Sequence, residues 1–189
     1  MKTKLVLGVI LAATMLFTAC HSAEKAGADA AIKGAQAAYA AVADQANKYV
    51  PDQSKEVQAA IQSAKDTYDK GDYVAAFEAS KPLAGKVQDL GKAADTKKAE
   101  LTAKWTELSS TIPGLLKEVQ KKADALTKSH KLPKGADGSL AAAKQAWTDA
   151  SAAFTSGQLP DAVAKASAAK ATLIDLQPTL GIKPIKPKA

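Results

Sequence analysis

The chain reads as all-α, an antiparallel helical bundle built from two similar three-helix units, each a helix followed by a helical hairpin. Three observations predict this class. Alanine, the strongest helix former, supplies nearly half of a 47% hydrophobic composition. Apolar residues recur at alternating steps of three and four, with no Val/Ile/Thr alternation of the kind a strand requires. Glycine and proline fall at the joints between these periodic stretches, where helices stop and start.

The first mature helix is expected from about Ala23 to Tyr49, with Ile32, Ala35, Tyr39, Val42 and Ala46 on one face and Pro51 stopping it. A second runs from about Gln53 to Lys70, capped by Asp52 or Ser54, with Val57, Ala60, Ile61, Ala64 and Tyr68 inward, and Gly71 ends it. A third spans about Asp72 to Leu90, turning Tyr73, Ala76, Phe77, Ala84 and Val87 inward and bending at Pro82.

The plan then recurs. A long helix from about Ala93 to His130 places Leu101, Trp105, Leu108, Ile112, Leu115, Val119 and Leu126 on a heptad seam broken at Lys122. The apolar phase continues across Pro113-Gly114, which predicts one kinked helix in preference to two. His130 is read as a partner of the helix C-terminal dipole and not as a base. After Pro133 and Gly135, Ser139 is expected to cap a helix through Phe154. Gly157 turns the chain, and Pro160 opens a last helix to about Leu176. These readings divide the chain into an N-terminal segment 1–19, units 20–91 and 92–177, and a Lys/Pro-rich tail 178–189.

The two units align at a fixed offset. Ile61, Ala64, Tyr68, Gly71, Tyr73, Ala76, Val87, Asp89 and Leu90 match Trp147, Ala150, Phe154, Gly157, Leu159, Ala162, Leu173, Asp175 and Leu176. The turn Tyr68-Asp69-Lys70-Gly71-Asp72-Tyr73-Val74-Ala75-Ala76 resembles the loop of a tetratricopeptide repeat. The second copy, Phe154 to Ala162, keeps the aromatic, Gly and Ala. The 34-residue period of that family is absent, so the resemblance implies a TPR-like turn without its concave groove.

At the N-terminus, Lys2 and Lys4 precede an apolar run from Leu5 to Phe17, and Thr18 and Ala19 lead into Cys20, the single cysteine. The run is shorter than the ~20 residues that cross a bilayer. Phe17-Thr18-Ala19-Cys20 resembles the lipobox of bacterial lipoproteins, with Phe17 in place of the usual leucine. The resemblance implies acylation of Cys20, removal of residues 1–19 and a membrane anchor. His21 stands where aspartate would retain an enterobacterial lipoprotein at the inner membrane, which implies the outer membrane facing the periplasm. The alternative is an ordinary secretory signal cleaved after a small residue such as Ala23. As a whole the chain resembles Ala-rich helical lipoproteins of Gram-negative envelopes.

The remaining composition bounds the chemistry. The formal charge is +7, and all 26 basic residues are lysine. Without arginine, bidentate grip on phosphates and bases is lost, and the lysines are interleaved with acids, so nucleic acid is not expected as a partner. With His21 and His130 as the two histidines, neither a zinc cluster, a haem ligand pair nor a Cys/His nucleophile can be assembled, and no cofactor, metal site or catalytic role is expected. Asp66, Asp69 and Asp72 flank a turn but do not meet the calcium-loop pattern and suit capping and solvation.

The expected role is a non-catalytic scaffold or protein-binding module, held on a membrane by its N-terminal lipid and engaging an envelope protein. Tyr73, Phe77, Trp105 and Trp147 are the candidate partner anchors, and each also suits the core. The alternative is electrostatic adhesion to an anionic envelope polymer through Lys183, Lys186 and Lys188, which sit on a proline-spaced extended arm. From Gln177 onward the apolar residues Leu180, Ile182 and Ile185 look too sparse to join a core.

Overall fold

A computed structural model of the chain describes residues 3–183, with side chains from Ser22 to Lys183. The side chain of Cys20, together with Pro184, Ile185, Lys186, Pro187 and Lys188, lies outside the described residues. Every regular element among those described is an α-helix: α1 (Thr3–Tyr49), α2 (Pro51–Asp69), α3 (Tyr73–Ser80), α4 (Leu83–Lys128), α5 (Ala136–Thr155) and α6 (Leu159–Thr179). The helices pack as a bundle within each of two compact units, Met1–Lys97 and Lys98–Ala189, and α4 contributes residues to both.

In the first unit α1, α2 and α3 pack on one another. The face expected on α1 is the one buried: Ala28, Ile32, Ala35 and Ala46 are inside, with Tyr39 and Val42 packed at the margin. Val57, Ile61 and Ala64 of α2 and Leu83, Val87 and Leu90 of α4 complete this core. Each buried Val, Ile or Leu contributes roughly 1.5–3 kcal/mol, and each alanine far less, so the few large side chains carry most of the hydrophobic stabilisation.

The helix boundaries near Pro82 differ from expectation. The third helix does not bend at Pro82 and continue to Leu90; α3 ends at Ser80, and α4 starts at Leu83 and runs unbroken through Gly91 and Lys92. Proline has no N–H to give a preceding turn, but its carbonyl accepts from Lys86 N–H at 3.0 Å, so it opens the new helix. Farther along, α4 passes through Pro113 without a break, as the continuous apolar phase predicted. Pro113 lies on the exposed face, where water can meet the carbonyl that loses its partner.

The caps also differ. Pro51 sits in the first turn of α2 and Val50 is its N-cap, so neither Asp52 nor Ser54 caps the helix. Ser139 lies inside α5, which starts at Ala136 after Gly135. Leu159 opens α6 with Pro160 in its first turn, and the helix continues through Pro178 to Thr179.

The C-terminal arm is therefore packed at its start. Gln177 and Leu180 are 3% exposed and Ile182 is half-buried. The reason lies in the spacing: Leu159, Ala162, Ala166, Ala169, Leu173, Leu176 and Leu180 form one seam at alternating steps of three and four, and all are buried. Pro178 is exposed, off that seam.

Four helix ends share one hydrogen-bond pattern, among them that of α6, where Gly181 N–H donates to Pro178, Ile182 N–H donates to Gln177, and Gly181 has φ +69°. After α2, Gly71 N–H donates to the Tyr68 carbonyl and Asp72 N–H to Thr67; after α5, Gly157 donates to Phe154 and Gln158 to Ala153. After α4, His130 donates to Thr127 and Lys131 to Leu126. This is the closing turn that needs a left-handed residue, and φ is +85° at Gly71, +76° at Gly157 and +56° at His130. The mark of His130 is thus its backbone: it fills a place glycine fills at the other three. A side chain in this region costs about 1–2 kcal/mol.

Substitutions of opposite sign follow from that geometry. His130→Gly should raise unfolding stability by about 1 kcal/mol, whereas Gly71→Ala and Gly157→Ala should each lower it by about as much. Urea unfolding followed by circular dichroism reads the difference, and a loss of stability in His130→Gly would contradict the shared turn.

Candidate functional site

The four aromatic residues singled out in the sequence fall into two groups, one in each unit. In the first, α3 presents Tyr73 and Phe77 one turn apart, both half-buried. Tyr73 meets Tyr68 edge-on with centroids 5.1 Å apart, and Lys25 Nζ lies 4.9 Å from its ring centre. Phe77 packs against α1 at Gly27, where a Cβ would stand 2.7 Å from Phe77 Cε2, and Lys81 Nζ covers its ring at 4.9 Å. Both rings make contacts inside the unit, Phe77 with α1 and Tyr73 with Tyr68 of α2 and Lys25 of α1, while part of each remains exposed.

The second group is a stack of three. Trp105 of α4 is 9% exposed and lies between two side chains of α5, Trp147 at 5.7 Å with an interplanar angle of 17° and Phe154 at 4.4 Å and 11°. Trp147 and Phe154 are seven residues apart, two helical turns on one face, which leaves room for one ring between them. Phe154 is 45% exposed and terminates the stack at the surface. The sequence reading missed Phe154 as a surface residue because it matched buried-looking Tyr68 in the other half.

Ser54 is the second residue that the sequence reading misplaced. It is fully buried, its Oγ donates to Asn47 Oδ1 at 2.7 Å, and with that proton committed Tyr39 OH is the donor to Ser54 Oγ at 2.9 Å. The three residues tie α1 to α2 through a satisfied polar contact inside an apolar seam. The signal was present: Ser54, Val57, Ile61 and Ala64 share one helical face. The hydroxyl's two bonds, to Asn47 and from Tyr39, orient α1 and α2 against each other.

The acidic residues have structural duties. Asp66 accepts from Gln62 Nε2 at 2.6 Å, Asp69 pairs with Lys65, and Asp72 Oδ1 accepts from Ala75 N–H at 3.1 Å as the cap of α3. Among the described residues no three His, Cys, Asp or Glu side chains converge, and no helix is long and apolar enough to cross a membrane.

Of the tail lysines, Lys183 is described, and it lines a groove of about 460 Å³ with Ile182, Lys121, Lys122 and Ala125. Lys122, the break in the α4 seam, is half-buried there, while Ala123 takes the buried position beside it at 5% exposure. A straight helix drifts against a seven-residue repeat, so the buried stripe shifts by one position, and the Lys122 stem packs while its amine reaches the groove.

Across α4 and α6, Lys170 Nζ donates to Glu107 Oε1 at 2.5 Å, and Lys104 stands 3.6 Å from Oε2. The hydrogen bond from Lys170, helped by the charges of both lysines, holds the Glu107 carboxyl below its ordinary range. A lowered folded pKa means stability that is present above the unfolded carboxylate value and lost as the pH falls through the folded one. Half-exposed as Glu107 is, the pair contributes about 0–1 kcal/mol. Glu107→Gln should lower stability at neutral pH by that amount and leave it unchanged in acid below both values. An equal loss at both pH values would assign the effect to packing.

No protein-family model matches the chain, and no curated protein or solved structure matches it either.

Proposed function

We propose that the chain is a lipid-anchored extracytoplasmic lipoprotein of the bacterial envelope, attached through Cys20 and acting as a non-catalytic helical scaffold that holds a protein partner. The N-terminal pattern Phe17-Thr18-Ala19-Cys20 supports the anchor, and His21 supports the outer membrane facing the periplasm. The observation that carries the binding role is the Trp105–Trp147–Phe154 stack. Two rings brace a third that is 45% exposed, and a flat aromatic face held rigid in this way binds with little loss of side-chain freedom.

The two units are read as copies of one helical-hairpin repeat with TPR-like turns. The matching hydrogen bonds after Tyr68 and Phe154 support this, as do the aligned pairs Ala64 and Ala150, Ala76 and Ala162, all at 0% exposure. In this reading Phe154 faces solvent at the position where Tyr68 is half-buried, so the second copy is the one that offers an aromatic surface.

Two measurements test the proposal. Cys20→Ser should abolish incorporation of labelled fatty acid and release the chain from membranes, and label retained in the variant would refute the anchor. For the binding role, photo-crosslinking from position 154 in cells should trap a protein adduct that disappears in Trp147→Ala, because the brace is lost. Crosslinking that is equal from Phe154 and from the exposed residue Ala141 would remove the stack as a docking surface.

A further inference from the structure

From Lys117 to Lys134 the chain carries six lysines and two acids, against 26 and 19 in the whole chain. Elsewhere among the described residues some lysines are tied to acids a helical turn away, as in Lys33–Asp29, Lys65–Asp69 and Lys165–Asp161, while others such as Lys55, Lys86 and Lys144 stand singly on the helix surfaces. Among the described residues Lys117, Lys121, Lys122 and Lys128 have no such pair. Of the two acids, Asp124 accepts from Gln120 Nε2 at 2.5 Å.

The fold adds to this excess. The turn after α6 brings Ile182 and Lys183 beside Lys121 and Lys122 in a groove of about 460 Å³, whose lining also includes Ala125 and one acid, Glu118, against three lysines. A second trough along α4, also about 460 Å³, shares Lys121 and Ala125 and adds Lys117 and Lys128, with Asp124 and Gln120 also in its wall, so lysines outnumber acids three to one there too. Lys117, Lys121 and Lys128 fall on one side of the helix, about 6 Å and 10 Å apart along its axis. Three and five residues beyond Lys183 the sequence places Lys186 and Lys188.

We propose that this lysine-lined groove binds a flexible, phosphate-bearing linear polyanion. Charge complementarity sets the sign of the ligand. The two troughs share Lys121 and Ala125 and follow α4, so one extended chain laid along them meets successive lysines. Lysine acts as a point charge without the bidentate fit of arginine, which favours repeated phosphate groups in no fixed orientation. No aromatic ring lines either trough, so the stacking that holds single-stranded nucleic acid is missing. The proposal deepens the reading of the lysine tail as an adhesive arm by giving it a folded partner surface. It is separate from the scaffold role, which uses Phe154.

The test is anisotropy titration of labelled long-chain inorganic polyphosphate with the full chain over a range of salt concentrations. Lys121→Gln, Lys122→Gln and Lys183→Gln together should weaken binding at least about tenfold at low salt and flatten the salt dependence of log Kd by about 0.7 per lysine removed. A control with the same charge change, Lys33→Gln, Lys65→Gln and Lys165→Gln, should weaken binding clearly less, because these lysines do not line the groove and each is already paired with an acid. The pair Lys121→Gln and Lys183→Gln leaves the half-buried Lys122 stem intact and should show the same effect at smaller size. Three results would overturn the proposal: no binding by the wild type, equal weakening in the control, or complete loss of binding on removing residues 184–189 alone. Binding to phosphatidylglycerol vesicles without binding to polyphosphate would overturn it as well, in favour of a lipid surface. Crosslinking from position 154 that survives the lysine substitutions distinguishes this site from the scaffold surface.

Discussion

Alanine at a seam position lets two helices approach until little but their backbones separates them, and the described bundle rests on that approach. Ala64 in α2, Ala150 in α5 and Ala162, Ala166 and Ala169 in α6 are all at 0–1% exposure. Such contacts gain little hydrophobic energy each, so the core has to be dense to be stable. The larger residues stand where the helices leave space, with Leu83, Leu108, Ile112 and Leu173 fully buried. Gly27 carries the same constraint to its limit, because the Phe77 ring occupies the space a Cβ would need.

Most of this architecture was legible as spacing. The buried faces of α1 and α6 follow steps of three and four, and the left-handed turns fall at glycines that separate periodic stretches. What misled the reading was local punctuation. A serine ahead of an apolar run suggests a cap, yet Pro51 already occupied the first turn, and Ser54 therefore lay one turn inside on the buried face. Pro178 suggested a stop, although its neighbours Leu176 and Leu180 continued the seam. At Pro82 the error ran the other way, since the proline that was expected to bend one helix separates two. In each case position relative to the seam decides the outcome, and residue type alone does not.

The candidate surfaces were less legible, for a related reason. That Trp105 lies between Trp147 and Phe154 depends on the register of α4 against α5, which no local pattern encodes. Lys122 was visible as a break in a heptad, but its position beside Lys183 depends on α6 ending in a turn that folds Ile182 back toward α4. Both surfaces are by-products of tight packing. A dense alanine seam fixes the helices closely enough for an exposed ring or a row of amines to keep one geometry.

Tight packing makes a claim that thermodynamics can check directly. Ala64→Leu and Ala150→Leu keep high helix propensity and add hydrophobic surface, so in a loose interior they would be neutral or stabilising. In a dense one the added methylenes have no space. Urea unfolding of these variants, beside Ala59→Leu and Ala141→Leu at exposed positions of the same helices, is the most direct measurement. The account predicts a loss of about 1–3 kcal/mol for each buried substitution and little change for the exposed ones. Buried variants as stable as the wild type, or more so, would contradict it.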